Sequence, residues 1–237
     1  MHTPEVWDSG DAYEPYVGRW SRRVAPAFLD WAEISAGRAL DVGCGTGALS
    51  QALIDQNARH VIGIDPSAAY VAHATTRTRR DGARVSFLVA DATALPFAAE
   101  TFDALVCGLV LNFVPQPLAA VREMRRVVRN GGVVAGYVWD YAGRMELMRY
   151  FWNAAVDLDP QRAGSLDEGV RFSICHPDRL VALFSEGGLK EIRTAPIDVA
   201  TVFSDFDDYW RPFLGGQAPA PSYTMSLDHK SATNSAT

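Results

Sequence analysis

ALDVGCGTGALSQAL, Ala39 to Leu53, passes from an apolar run through a glycine-rich turn into a helical pattern. Such a turn holds the anionic or polar parts of nucleotide cofactors. Its glycines let the backbone come close to a ligand, and the helix behind it offers unpaired N–H groups and a positive dipole end. The letters fit two templates. Gly43, Gly45 and Ala48 satisfy the dinucleotide fingerprint G-x-G-x-x-G/A. Asp41, Gly43, Gly45 and Gly47 satisfy D-x-G-x-G-x-G, the mark of another cofactor. Alone, the loop is equally a tight strand-to-helix turn with no ligand.

Outward from the loop, strands and helices alternate. RALDV (38–42), HVIGID (60–65), RVSFLVAD (84–91), FDALVCGLVL (102–111) and GGVVAGYVW (131–139) read as strands. Helices are expected to about Gln56, from Ser67 to about Arg79, and from Pro117 to Arg129 with Gly131 past its end. The strands are continuously apolar, as parallel strands buried on both faces are. The pattern predicts an α/β fold: a Rossmann-like, doubly wound, mostly parallel sheet with helices on both faces. Ahead of it, Val24, Phe28 and Trp31 share one helical face, so a helix over about Ser21–Ala32 is expected, with Pro26 counting against it unless it stands near the first turn. Residues 1–36 read as a helical cap over the cofactor cleft, carrying Trp7, Tyr13, Tyr16 and Trp20. Residues 37–213 read as the main domain, with later helices over Arg144–Val156 and His176–Ser185 and a sixth strand over 191–203, interrupted by Pro196. Residues 214–237 read as an irregular, partly disordered tail.

With 237 residues, 48% apolar, the chain can bury a sizeable core. A net charge of -6 argues against non-specific binding to nucleic acid or anionic membrane. Cys44, Cys107 and Cys175 form no C-x-x-C pair and read as small packing residues, so no metal site is expected. The first residues have no basic and no apolar region of a signal peptide, and no apolar run reaches membrane-spanning length, so a cytoplasmic protein is expected.

Two further acids bear on the cofactor. Asp65 ends the second strand, where an acid accepts hydrogen bonds from ribose hydroxyls. Asp91 ends the third and is followed by Ala92; a carboxylate there can accept from an adenine amine while the next N–H meets a ring nitrogen. Asp41 would repel the pyrophosphate of NAD, yet is favourable near a sulfonium or amino group. Charge thus favours S-adenosylmethionine. LDVGCGTG, GIDPS, VADATALPF, FDALVCGLVLNFV and EMRRVVRNGGVVAGYVW resemble, in order and spacing, the motifs of class I S-adenosylmethionine-dependent methyltransferases. They are most similar to the small-molecule branch with quinone-biosynthesis-type enzymes. The resemblance is strong over roughly residues 37–140. It implies that Gly43, Gly45 and Gly47 contact the methionine part, that Asp65 holds the ribose and that Asp91 with Ala92 faces the adenine. Pro66, Ser67 and Ala68 would line the adenine side and Gly108 and Leu109 the methionine side. Asp41 would face the amino group, directly or through water. It also implies a closing antiparallel strand, for which the tail has no apolar run, so that strand is expected to be missing.

CGLVLNF lacks the D/N-P-P-Y/F box and the Pro-Cys nucleophile of base-modifying branches, which leaves a small-molecule acceptor and no nucleic acid. Arg122, Arg125, Arg126 and Arg129 read as the solvated face of an amphipathic helix. Methyl transfer mostly asks for positioning, so a base is needed only if the acceptor must lose a proton; His176, Asp140 and Tyr141 are the candidates by position. Tyr16 and Trp20 would close over the cofactor and Arg19 meet its carboxylate. An NAD-linked oxidoreductase and a cofactor-binding protein without activity are the other readings. The attacking atom and the oligomeric state are not legible.

Overall fold

A computed structural model describes residues 14–34, 37–78, 84–215 and 218–234. A π-helical turn, Glu14–Gly18, leads into α1 (Arg19–Trp31). Then come β1 (Arg38–Val42), α2 (Ala48–Asp55), β2 (His60–Asp65), α3 (Ala68–Arg77), β3 (Val85–Val89), β4 (Phe102–Gly108), α4 (Pro117–Val127) and β5 (Val128–Tyr137). The five strands are all parallel, in the order β3-β2-β1-β4-β5. The order reverses between β1 and β4, the switch point outside whose carboxyl ends open α/β sheets bind ligands. The glycine loop follows β1 at that switch point.

Side chains alternate across the sheet. Ala39, Ala104 and Val106 pack with Val24, Phe28 and Leu29 of α1 and Leu49 and Leu53 of α2. Leu40, Val42, Leu105 and Cys107 face Val121 and Met124 of α4 on the other side. Asp41, on the register of Ala39, therefore lies on the α2 face. Beyond β5 a third apolar cluster joins the N-terminal turn to α5 (Glu146–Leu158), α6 (Pro160–Leu166) and α10 (Pro219–Asn234). Between these run α7 (Glu168–Arg171), a 3₁₀ turn Ser173–Cys175, α8 (Pro177–Glu186) and α9 (Phe206–Trp210).

Several expectations are corrected. The first helix forms even though Pro26 stands inside it, beyond the first turn. β5 starts at Val128 with no intervening loop: Phe102 pairs with Val128 but Ala104 with Val133, and the bulge uses Gly131 at φ +74°. No sixth strand forms over 191–203. Pro196 has no N–H to donate, and the run is held by side chains instead. Ile197 and Val199 pack against the apolar cluster of α1, β1 and α2, Arg23 donates to the Ala200 carbonyl (3.0 Å), and Arg144 pairs with Asp198 (2.7 Å). No strand follows β5 among the described residues. The tail is helical rather than irregular: both prolines stand in the first turn of α10, where no N–H is needed, and Ala220 and Tyr223 are buried against Phe151 and Trp152. The polar stretch before α8 also forms helices, because Asp159 caps α6 at the Arg162 N–H (3.3 Å) and Asp167 caps α7 at the Gly169 N–H (2.8 Å).

Candidate functional site

Gly43, Gly45 and Gly47 have φ of +70°, +50° and +84°, left-handed values that only glycine adopts without strain. The first two differ in their surroundings. A Cβ on Gly43 would lie 2.1 Å from the Val110 side chain, whereas one on Gly45 would meet nothing among the described residues within 4 Å. Gly43 thus serves close packing, and Gly45 leaves open space at the apex. The loop is tied down by the Gly43 and Cys44 N–H groups, which donate to the Ile64 carbonyl (2.8 and 2.9 Å).

Asp65 holds the loop from β2. Its carboxylate, 8% exposed, accepts from the Gly45 N–H (3.0 Å) and the Ser67 N–H (2.9 Å). Burial pushes its pKa up against the pull of these two bonds. Pro66 and Ser67 follow, and Ser67 caps α3 at Tyr70 N–H. Asp91, exposed beyond β3, accepts from the Thr93 N–H (2.7 Å) and hydroxyl (2.8 Å), both on Oδ1, which hold its pKa below the usual carboxylate range. The Ala90 N–H donates to the Asp65 carbonyl and brings the ends of β3 and β2, with Asp91 and Ala92, side by side (3.2 Å). After β4, the Tyr137 ring lies over Gly108, and Leu109 has φ +62°, a strained value for leucine, with its N–H on the Tyr137 carbonyl (2.8 Å). The structure thus lines up the sequence-predicted residues along one sheet edge.

Asp41 lies beneath the loop, 1% exposed. Ser50 Oγ donates to its Oδ2 (2.6 Å), while Oδ1 is buried with no hydrogen-bond partner among the described residues. Burial raises its pKa to about 7; the Ser50 bond opposes this and the Asp65 charge adds to it. Burial also raises the thiol pKa values of Cys44, Cys107 and Cys175, consistent with packing roles.

The weaker predictions separate. Arg19 pairs with Asp208 (2.8 Å) and stacks on Trp20 and Phe203, so it is engaged away from the glycine edge. Trp20 is buried between Arg19, Arg23 and Phe203 as packing. His176 is exposed ahead of α8, and Asp140 closes a turn on the Gly143 and Arg144 N–H groups (3.0 Å each). Tyr141 and Tyr16 are buried, and both line a cavity of about 10 Å³ with Phe113, Met145, Met148 and Glu168. Sequence reading missed the last four, which share no local motif; a negative charge inside the polar stretch was the one available signal for Glu168. Trp7 and Tyr13 lie outside the described residues. A larger hollow of about 380 Å³, bordered by Arg38, His60 and Arg84, lies at the amino ends of β1–β3, the edge opposite the glycine loop. Three of the arginines read as one basic helix face are engaged locally: Arg126 with Glu123 (2.7 Å), Arg125 with the Gly188 carbonyl (3.0 Å) and Arg129, which lies in β5 rather than on the helix, with Asp103 (2.7 Å).

Residues 40–136 match the methyltransferase domain family. The demethylmenaquinone methyltransferase of Roseiflexus castenholzii is 34% identical over 67% of this chain and 70% of that protein. The chain belongs to the class I S-adenosylmethionine-dependent methyltransferases. The ubiquinone biosynthesis O-methyltransferase of Aromatoleum aromaticum is 34% identical over 54% of this methyltransferase chain and 54% of its own. The chain spans about half the length of several such relatives, 54% and 55% in two ubiquinone-type cases. In fold it is similar to a solved methyltransferase from Methanococcus maripaludis, with a TM-score of 0.56 at 20% identity over 79% of this chain and 88% of that one. Membership in this family displaces the dinucleotide template of the glycine loop. No helix among the described residues is long and apolar enough to cross a membrane.

Proposed function

We propose that the chain transfers a methyl group from S-adenosylmethionine to a small-molecule acceptor by in-line displacement, leaving S-adenosylhomocysteine. The observation that carries this reading is the single edge formed by the turns after β1, β2, β3 and β4, with open space at Gly45. The cofactor fits the donor set. A carboxylate accepts at about four lone-pair sites, so Asp65 can take ribose hydroxyls while keeping its two amide bonds. Asp91 offers Oδ2 to an adenine amine, and Ala92 its N–H to the ring. The glycine loop and Gly108–Leu109 border the methionine part. The buried Oδ1 of Asp41, which has no hydrogen-bond partner among the described residues, supplies negative character under a cationic ligand.

When bound, the cofactor supplies a methyl group on a sulfonium, already activated for transfer. The protein's task is to hold acceptor and donor in line and to exclude water. Orientation of that kind supplies on the order of 7–11 kcal/mol. Of the three base candidates, Tyr141 has the burial expected next to an acceptor, and Asp140 and His176 do not.

Calorimetric titration with S-adenosylmethionine and NADH tests the cofactor; tighter binding of NADH would sink the reading. Turnover on a metabolite extract, followed as S-adenosylhomocysteine formation and as products heavier by one methyl group, tests the reaction. Binding without turnover would leave a cofactor-binding protein without activity.

A further inference from the structure

The strand–helix alternation skips a helix in one place. β3 passes to β4 through residues 90–101, none of which is helical. α3 covers the other face of the sheet, where its Ala74 borders Gly47 beside Phe87. The half of the sheet made by β2 and β3 is therefore open on the α4 face. Ile62 and Leu88 are only half-buried there, and Ser86 is exposed. The hollow of about 380 Å³ occupies the amino end of this open face, with Ile62 and Ser86 in its lining. Alternation back from Leu40, Ile62 and Leu88 puts Arg38, His60 and Ser86 on the same face.

The charges around the hollow are unbalanced. Arg38 and His60 are register partners on adjacent strands, which lie about 4.8 Å apart. Two basic side chains at facing positions gain nothing from each other. Among the described residues no carboxylate pairs with either side chain, and no acid lines the hollow. The Arg38 guanidinium lies over the Phe102 ring (5.2 Å), which fixes the plane of its donor fork. Asp103 stands nearby but is already answered. It accepts from the Arg38 N–H and from Arg129 (2.7 Å each), and with the charge of Arg59 these hold its carboxyl below the usual range. The negative end of α2 is answered too, because Arg84 donates to the Ile54 carbonyl (3.0 Å). What is left over is positive, in a chain whose net charge is -6.

Size decides between kinds of guest. A hollow of about 380 Å³ has the volume of a small-molecule site and not that of a macromolecular groove. Its floor is apolar at Val61, Ile62 and Val85, and its polar groups stand to one side. A guest with a charged end and an apolar body matches that division. Two neighbouring bases match a doubly charged end better than a single one, and a phosphate monoester carries about -1.5 to -2 near neutral pH.

We propose that this hollow binds a small phosphate monoester, with Arg38 and His60 on its phosphate and Ile62 under its apolar body. The site lies at the amino ends of the strands, across the sheet from the glycine edge, and does not depend on the methyltransferase reading.

The test uses the full chain without cofactor and four probes: phenyl phosphate, inorganic phosphate, benzoate and phenol. Phenyl phosphate should bind about tenfold or more tightly than phenol, the factor that a hydrogen bond to a charged group supplies. It should also bind more tightly than inorganic phosphate and benzoate. The backbone amide resonances of Ile62 and Ser86 and the ring resonances of His60 should move with it. Added salt should weaken phenyl phosphate and leave phenol unchanged. Arg38→Gln and His60→Gln alter exposed side chains away from the glycine edge. Each should lower phenyl phosphate affinity about tenfold while the melting temperature and the Gly45 and Gly47 amide resonances stay as they were. Phenol or benzoate binding as tightly as phenyl phosphate overturns the proposal. So do shifts confined to Gly45 and Gly47 with Ile62 and Ser86 unmoved, a result that requires no variant to fold. Equal losses of phenol and phenyl phosphate in both variants would show an apolar patch without charge selection, and that also overturns it.

Discussion

The glycine edge takes its groups from turns that each follow one of four neighbouring strands, whereas the small aromatic cavity collects side chains from Tyr16 to Pro219 along the chain. At the edge the backbone does much of the chemistry: left-handed glycines, amides on Asp65 and the carbonyl of Ile64. In the cavity, side chains do nearly all of it. A backbone site is fixed by φ values and register and tolerates few residue types. A side-chain site can be repacked, so its specificity can change without disturbing the sheet.

The largest expected effect probes whether the two regions are energetically separate. Phe213 is 1% exposed and stacks on Phe151 with ring centroids 4.6 Å apart. Phe213→Ala should cost about 3–5 kcal/mol of stability in urea melts. S-adenosylmethionine affinity of the folded variant should stay within about twofold; a parallel collapse of affinity would join the two regions into one unit.

Asp41 places a pH dependence on the glycine side alone. Its folded pKa is raised, so between the ordinary carboxylate range and about pH 7 the folded chain holds a proton that the unfolded chain has lost. Its stabilising contribution is full below that window and is lost as pH rises through it. The stability of the parent relative to Asp41→Asn should therefore fall with rising pH, by at most about 1.4 kcal/mol per pH unit. A flat difference across pH 4.5–7, in roughly the window set by linkage, would show that the carboxyl does not titrate there.

Asp65→Ala should weaken S-adenosylmethionine binding by about 1.5–3 kcal/mol, roughly tenfold or more, in calorimetry. Unchanged affinity would remove the ribose assignment. The glycines sharpen the contrast further. Gly45→Ala and Gly47→Ala should each cost about 1–2 kcal/mol in stability from the left-handed strain. Only Gly45→Ala extends into open space, so it should lose more cofactor affinity than Gly47→Ala, whose Cβ would meet Ala74 at 3.3 Å. Equal losses would mean that the space at Gly45 is not the ligand's. Smallest of all, Arg144→Ala breaks an ion pair with both partners more than half exposed and should change stability by under about 1 kcal/mol.

The two regions also differ in how legible they were. β1 and β2 form at the residues their apolar runs indicate, because strands buried on both faces leave continuous hydrophobic text. The glycine edge was readable since each of its groups sits a fixed step past a strand. The partner of Asp41 was not: Ser50 reaches it only after the loop has turned α2 back over the sheet face. The early start of β5 depends on a bulge, and α10 has too weak an apolar stripe to announce itself. Glu168 was hidden in a polar stretch, because burial of a charge is decided by what five distant segments place around it.

The run over 191–203 has a consequence of its own. From Ile197 to Phe203 its residues alternate between half-buried and exposed, as a strand's do. Yet no backbone–backbone hydrogen bond among the described residues comes from an amide between 192 and 203. Side chains and amides there should give opposite readings in solution. Methyl resonances of Ile197 and Val199 report a fixed environment, while the neighbouring amides trade deuterium at nearly the rate of an open chain. Protection from exchange should therefore drop abruptly between β5 and this run, although the two are packed against the same apolar cluster.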